Sequence, residues 1–237
     1  WGLYSKDDDK EYLGAFDRPD LSNPDLKDQN VTLLEQTATT YTDIEVELAS
    51  GETVIFDIRV MSGNELNWHT APDGVTNPPS LPDLAEEAAD IAGHGGWYWD
   101  LPFTGERVVS DVLLRDGRLI VIPFTPDPDR CSDGGSSFLM ELNSFTGGTS
   151  GGAVFDINND GKIDGGDLVT TRTDGDGNEI QEFPDGLQLA GNVQPPAILI
   201  LNDKIEVKYL SSSTGAVHMV REKTVRLGVT YWKELDR

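Results

Sequence analysis

One cysteine stands in the whole 237-residue chain, at Cys131, so no disulfide can close within it. Pairing with a segment outside the chain and a free thiol both stay open. Residues 127–135 around it read as a loop, and Arg130 alone offers the charge a reactive thiolate needs. Histidine is as scarce: His69, His94 and His218 are the three present, and none sits in a catalytic context. Bases are few, 18 against 42 acids for a net charge of −24, so nucleic acid and anionic membrane surfaces would be repelled. No apolar run approaches the ~18 residues of a membrane span, which argues against membrane insertion. Trp1 rather than Met opens the chain and no positive-then-apolar leader follows, as expected of a processed product or a fragment.

Enough apolar sequence remains for a core. Hydrophobic residues make up 37% and charged residues 25%, the balance of a globular protein. Most segments alternate apolar and polar residues between turn signals, the pattern of half-buried strands. Asp43–Leu48 and Val54–Val60 flank Ala49-Ser50-Gly51 as one predicted hairpin. Val108–Leu114 and Arg118–Ile122 flank Asp116-Gly117 as another, with a strong turn pair between them. Further strands are predicted at Ser137–Leu142, Ala197–Leu201, Ile205–Leu210, Val217–Arg221 and Leu227–Trp232. One short helix is expected from about Asp83 to Ala92. It starts at Pro82 and Asp83, aligns Leu84, Ala88 and Ile91 on one face and stops at Gly93. That helix belongs to a Pro-rich insertion at 70–95.

A weak repeat sets the expected architecture. Leu142-Asn143-Ser144-Phe145-Thr146-Gly147 recurs as Leu210-Ser211-Ser212-Ser213-Thr214-Gly215, 68 positions later. A propeller blade takes ~40–50 residues, so an insertion between two blades accounts for the excess. The reading is all-β: residues 1–237 as the C-terminal blades of a larger quinoprotein-like β-propeller, leaning on the remainder of that propeller, with an inserted EF-hand-like loop at 154–185.

That insertion contains the most specific motif. Asp156-Ile157-Asn158-Asn159-Asp160-Gly161-Lys162-Ile163-Asp164-Gly165-Gly166-Asp167 places oxygen side chains at loop positions one, three, five, nine and twelve. Gly161 at position six permits the sharp turn, and Ile163 fills the apolar position eight. A chain wrapping once around a hard cation presents alternate residues inward, which is the calcium-loop pattern. Expected ligands are Asp156, Asn158, Asp160, the backbone carbonyl of Lys162, and Asp164. Asp167 is a fifth side chain, shorter than the Glu usual at position twelve. Calcium is favoured over magnesium because a wrapped all-protein cage suits the larger ion. No flanking helices are evident, so a structural or locally ordering ion fits better than a helix-opening switch.

Other motifs read more simply. Asp174, Asp176, Asn178, Glu182 and Asp185 repeat the oxygen spacing. However, Glu179 stands where Gly belongs and Gln181 where an apolar residue belongs, leaving a polar surface loop. Gly148-Thr149-Ser150-Gly151-Gly152 matches a nucleophile-elbow pattern that needs a following helix, and the cation loop follows instead; a glycine-rich turn is expected. Trp97-Tyr98-Trp99 reads as packing aromatics.

The chain resembles the C-terminal propeller region of the PilY family of type IV pilus tip-associated proteins. The likeness runs through Gly96-Trp97-Tyr98-Trp99-Asp100-Leu101-Pro102, Gly105–Ser110, Cys131–Leu142 and the cation loop, and resumes at Thr230–Leu235. It implies a non-enzymatic, exported protein at the pilus tip, partnered with minor pilins and with a host or abiotic surface receptor. Pilus biogenesis, adhesion and twitching motility are the implied roles. The family's calcium loop governs pilus extension and retraction, and its ligands carry over to Asp156, Asn158, Asp160, Lys162 and Asp164. Asp167 lies outside that set. Two alternatives remain: a quinoprotein-like dehydrogenase propeller, disfavoured because a contiguous loop leaves an ion few open positions, and a dockerin-like module, disfavoured by the defective second loop.

Overall fold

The computed structural model describes residues 3–5, 32–66, 94–128, 134–202 and 204–224. Their strands are β1 (Leu3–Ser5), β2 (Thr32–Gln36), β3 (Ala38–Glu47), β4 (Thr53–Met61), β5 (His94–Leu101), β6 (Arg107–Val108), β7 (Leu113–Arg115) and β8 (Arg118–Val121). They continue as β9 (Pro123–Thr125), β10 (Ser136–Asn143), β11 (Val169–Thr173), β12 (Glu179–Glu182), β13 (Gly186–Ala190), β14 (Ala197–Ile200), β15 (Ile205–Ser211) and β16 (Val217–Lys223).

An eight-stranded antiparallel sheet forms the middle, in the order β3-β4-β13-β10-β8-β7, with β9 added along β10 and β6 along β9. β10 is its hub, and its alternation explains the layering. Phe138, Met140 and Leu142 belong to one buried cluster with Trp97, Trp99 and Leu101 of β5. There the parallel sheet β1-β5-β2 covers the central sheet. Leu139 belongs to a second buried cluster, with Ile58 and Leu187 of the same sheet, Leu210 and Val220 of the sheet β14-β15-β16, and Val154, Phe155 and Ile157. Each of these side chains contributes about 1.5–3 kcal/mol on burial. The Trp-Tyr-Trp cluster is thus a packing element: Trp99 is fully buried, and a Cβ at Gly147 would stand 2.1 Å from the Trp97 ring.

Charge also crosses between layers. Lys208 of β15 is fully buried, ion-paired to Glu141 of β10 and Glu222 of β16, with Glu206 at 3.8 Å. Arg118 reaches Glu141 at 3.2 Å, and Arg115 pairs with Glu206 at 2.6 Å. Three carboxylates therefore face three cations. Burial works against the Lys208 charge, yet Glu222 and Glu141 outweigh it and raise its pKa. Burial and the Glu141 charge push Glu222 well above the carboxylate range.

Both hairpin turns hold, but the predicted strand Val108–Leu114 is split, Val108 lying in β6 beside β9 and residues 109–112 forming no strand before β7. β3 and β4 pair as the first hairpin and β7 and β8 as the second, with Asp116 and Gly117 at φ 51° and 78°. The propeller does not hold. Among the described residues no sheet closes on itself, and the strands do not form successive four-stranded blades. The repeated Thr-Gly segments land in different environments. The turn after Leu142 leaves the hub of the central sheet, whereas the turn after Leu210 is the β15–β16 hairpin. A local turn signature fixes φ and ψ over four residues but carries no information on which strand lies alongside, as the antiparallel pairing of β13 with β4, far apart in sequence, shows. The predicted helix at 83–92 and the strand at 227–232 lie outside the described residues. Among the described residues the one helical element is a short 3-10 turn, Gly165–Asp167, and no helix is long and apolar enough to cross a membrane.

The glycine-rich segment 148–152 wraps a buried carboxylate. Asp185 accepts from the Met61 N–H at 2.9 Å, the Thr149 hydroxyl at 2.9 Å and the Ser150 N–H at 3.1 Å, while the Ser150 hydroxyl donates to the Glu141 carbonyl. This is a turn, as the sequence indicated. Burial pushes the Asp185 carboxyl up to about 6 despite these donors. A raised folded-state pKa binds protons more tightly in the native state, so this contribution is full below about pH 4 and is lost as pH rises through 6, by about 3 kcal/mol. Urea midpoints measured from pH 4 to 7 should show that fall in the wild type relative to Asp185→Asn; parallel profiles would refute it.

Candidate metal centre

The loop from Asp156 to Asp167 is held from three sides. Upstream, Val154 and Asp156 lie along β16: the Asp156 N–H donates to the Arg221 carbonyl at 3.0 Å and the Lys223 N–H to the Val154 carbonyl at 2.8 Å. From the β3–β4 turn, the Ala49 N–H donates to the Asn158 carbonyl at 2.8 Å. Downstream, the 3-10 turn Gly165–Asp167 leads into β11, a strand. Gly161 turns the chain at φ 80°, and Asn159 adopts φ 56°, a conformation Asn tolerates better than most residues.

Asp167 is the clasp. Its side chain is buried, with Oδ1 accepting from the Ile157 N–H at 2.7 Å and the Asn158 N–H at 3.4 Å, and Oδ2 accepting from the Asp164 N–H at 2.9 Å. Asp164 completes a reciprocal cap, accepting from the Gly166 N–H at 2.9 Å. Three donors occupy three of the roughly four lone-pair positions of the Asp167 carboxylate, leaving one for an ion. Burial raises its pKa against the lowering effect of those N–H groups.

The remaining predicted ligands line the turn. Asn158 Oδ1 accepts from the Asp160 N–H at 3.0 Å, and Asp160 Oδ1 from the Lys162 N–H at 2.8 Å. The Lys162 N–H therefore stiffens the segment whose carbonyl was assigned to the ion, and this hydrogen bond lowers the Asp160 pKa. Asp156 differs. Its side chain is fully buried; Oδ2 accepts from the Gly161 N–H at 3.1 Å with the Arg221 guanidinium at 3.6 Å, and Oδ1 has no hydrogen-bond partner. Burial raises its pKa against Gly161 and Arg221. Among the described residues no three His, Cys, Asp or Glu side chains converge as a metal-holding group. The carboxylates are instead turned onto backbone N–H groups, and two of the expected oxygens belong to Asn158 and the Lys162 backbone.

The second oxygen-rich stretch does not gather. Asp174 sits at the β11–β12 turn, accepting from the Asp176 and Asn178 N–H groups, while Asp185 is buried under residues 148–152. Cys131 and His69 lie outside the described residues.

In an alignment of 182 positions that covers 70% of the chain, it is 30% identical to the type IV pilus biogenesis factor PilY1 of Pseudomonas aeruginosa strain UCBPP-PA14. The chain belongs to the PilY1 family. It spans 14% of that relative's length. A PilY1 homolog of Xylella fastidiosa strain Temecula1 is 36% identical over 107 residues, 43% of this chain and 8% of that protein. The crystal structure of the Pseudomonas aeruginosa PilY1 C-terminal domain superposes with a TM-score of 0.49 at 18% identity, covering 80% of this chain and 32% of that one. No protein-family model matches the chain. PilY1 membership accords with the expectation of a protein that is not an enzyme.

Sequence reasoning named the loop's acids and missed what holds them. Arg221 and Ala49 are invisible to it because they arrive from distant strands. The clasp left a trace, since Asp164 and Asp167 stand at the spacing of a reciprocal helix cap. Asp167→Ala strands three backbone N–H groups and should cost about 2–4 kcal/mol. Urea unfolding in chelator should register that loss; a loss confined to calcium-containing buffer would mark Asp167 as an ion ligand alone.

Proposed function

We propose that this chain is a calcium-binding segment of a type IV pilus biogenesis protein, acting outside the cell at the pilus tip in assembly, twitching motility and surface attachment. Membership of the PilY1 family supports the pilus role, since the relatives carry that description. Minor pilins and the rest of a longer polypeptide are the partners this reading implies.

The calcium half rests on one observation: a fully buried carboxylate oxygen, Asp156 Oδ1, without a hydrogen-bond partner, in a loop of oxygen donors. A buried carboxylate oxygen left without a donor is costly, and a hard cation relieves that cost. Asp156, Asn158, Asp160, the Lys162 carbonyl and Asp164 would hold it, and Asp167 holds the loop ends together with one lone pair to spare. The ion supplies fixed positive charge that orders the loop; it needs no reaction. Binding to the folded state alone adds stability in proportion to the logarithm of free calcium, so external calcium sets how much of the population presents the ordered loop to a partner.

Calorimetric titration with calcium, using magnesium as control, should give one selective site in the wild type and none in Asp164→Ala. Absence of wild-type binding removes the calcium half. In cells making the full-length protein, Asp164→Ala should impair calcium-dependent piliation and motility. Unchanged motility in a variant that no longer binds would detach the ion from pilus function.

A further inference from the structure

β16 does more than border the loop. Inward, Val220 and Glu222 are buried in the core and the ion cluster; between them, Arg221 reaches the loop. Its guanidinium hydrogen-bonds Asn159 Oδ1 and stands 3.6 Å from Asp156 Oδ2, while its own carbonyl accepts the Asp156 N–H. One residue thus fixes the backbone at loop position one and offers a positive charge to the same residue's carboxylate. Asn159, the residue it grips, is the one at φ 56°. A cleft of about 320 Å³ adjoins this contact, lined by Asp156, Asn159 and Arg221 together with Phe56, Leu189 and Met219.

We propose that Arg221 is a built-in counter-cation of the loop, which a divalent ion must displace from Asp156, so that Arg221 sets the affinity for calcium. This rests on the calcium reading above. An ion bound to Asp156 places two positive charges close to the guanidinium, and a carboxylate already shared with Arg221 is a poorer ligand. Repulsion swings the side chain into the cleft, which has room for it, and frees Asn159. Without the ion, Arg221 keeps the loop near its bound shape by partly neutralising the buried carboxylate. The arrangement lowers affinity and keeps the loop folded at low calcium, as suits a site meant to respond to external calcium rather than to stay filled.

Arg221→Gln retains a donor for Asn159 and removes the charge; Arg221→Lys retains charge. Calorimetry of the purified chain with calcium should show Arg221→Gln binding about tenfold more tightly than wild type, from the loss of one unit charge beside a doubly charged ion in a solvent-screened setting. Arg221→Lys should stay near wild type. In chelator, Arg221→Gln should unfold at lower urea than wild type, and the two midpoints should converge in saturating calcium. Equal or weaker calcium binding by Arg221→Gln, with one site intact in the wild type, would overturn this role and leave the calcium reading standing. No calcium binding by any of the three proteins would remove both.

Discussion

Lys208 is the constraint on which the layers depend. It is a fully buried ammonium set between the central sheet and the sheet β14-β15-β16, held by Glu141 from one and Glu222 from the other. Taking these charges out of water is expensive, and only their mutual attraction offsets it. An apolar contact tolerates sliding; an ammonium held between the Glu141 and Glu222 side chains does not, because any shift leaves the buried ammonium without its partners. The two sheets are therefore locked in one register. Arg118 and Arg115 extend the lock to β8 and β7 through Glu141 and Glu206.

That lock positions the loop. Glu222 is fixed by Lys208, and Phe155 bridges to Glu222 immediately before the loop begins. The adjacent Arg221 carries the position of β16 directly onto Asp156 and Asn159. The opposite end is closed by Asp167, whose carboxylate ties Ile157 to Asp164. The loop is thus braced by core packing on one side and by its own clasp on the other, while Asp160 and Lys162 stay at the surface. In the calcium reading proposed above, a cation entering such a frame would reorganise side chains and leave the fold alone. This separates it from a helix-loop-helix sensor, in which the flanking helices move; here a strand follows the loop.

The strongly acidic composition has two destinations. Asp185, Glu141, Glu206, Glu222 and Glu106 are buried, each answered by backbone N–H groups or by cations. The loop acids answer to the backbone of the loop itself. Asp156 has one oxygen engaged and the other without a hydrogen-bond partner, inside a loop of further oxygen donors; Glu141 Oε2 and Glu222 Oε1 also lack hydrogen-bond partners, but they belong to side chains ion-paired with Arg118 and Lys208.

Local chemistry was legible in the sequence. Asp116-Gly117 specified a hairpin, Gly161 a sharp turn, residues Ser137–Leu142 a strand, and the oxygen spacing from Asp156 to Asp167 a looped carboxylate set. Each depends on a few consecutive residues whose backbone preferences are intrinsic. Family membership, too, was carried by runs of residues rather than by shape. Tertiary structure alone decided the partners: that β13 lies between β4 and β10, that the two Thr-Gly turns belong to different sheets instead of successive blades, and that Arg221 faces Asp156. A strand's alternation states which face is apolar but not which edge it pairs, because backbone N–H and C=O groups are the same at every residue. Pairing is settled by buried volume and by the requirement that Lys208, Glu141 and Glu222 meet, conditions that no short window of sequence contains.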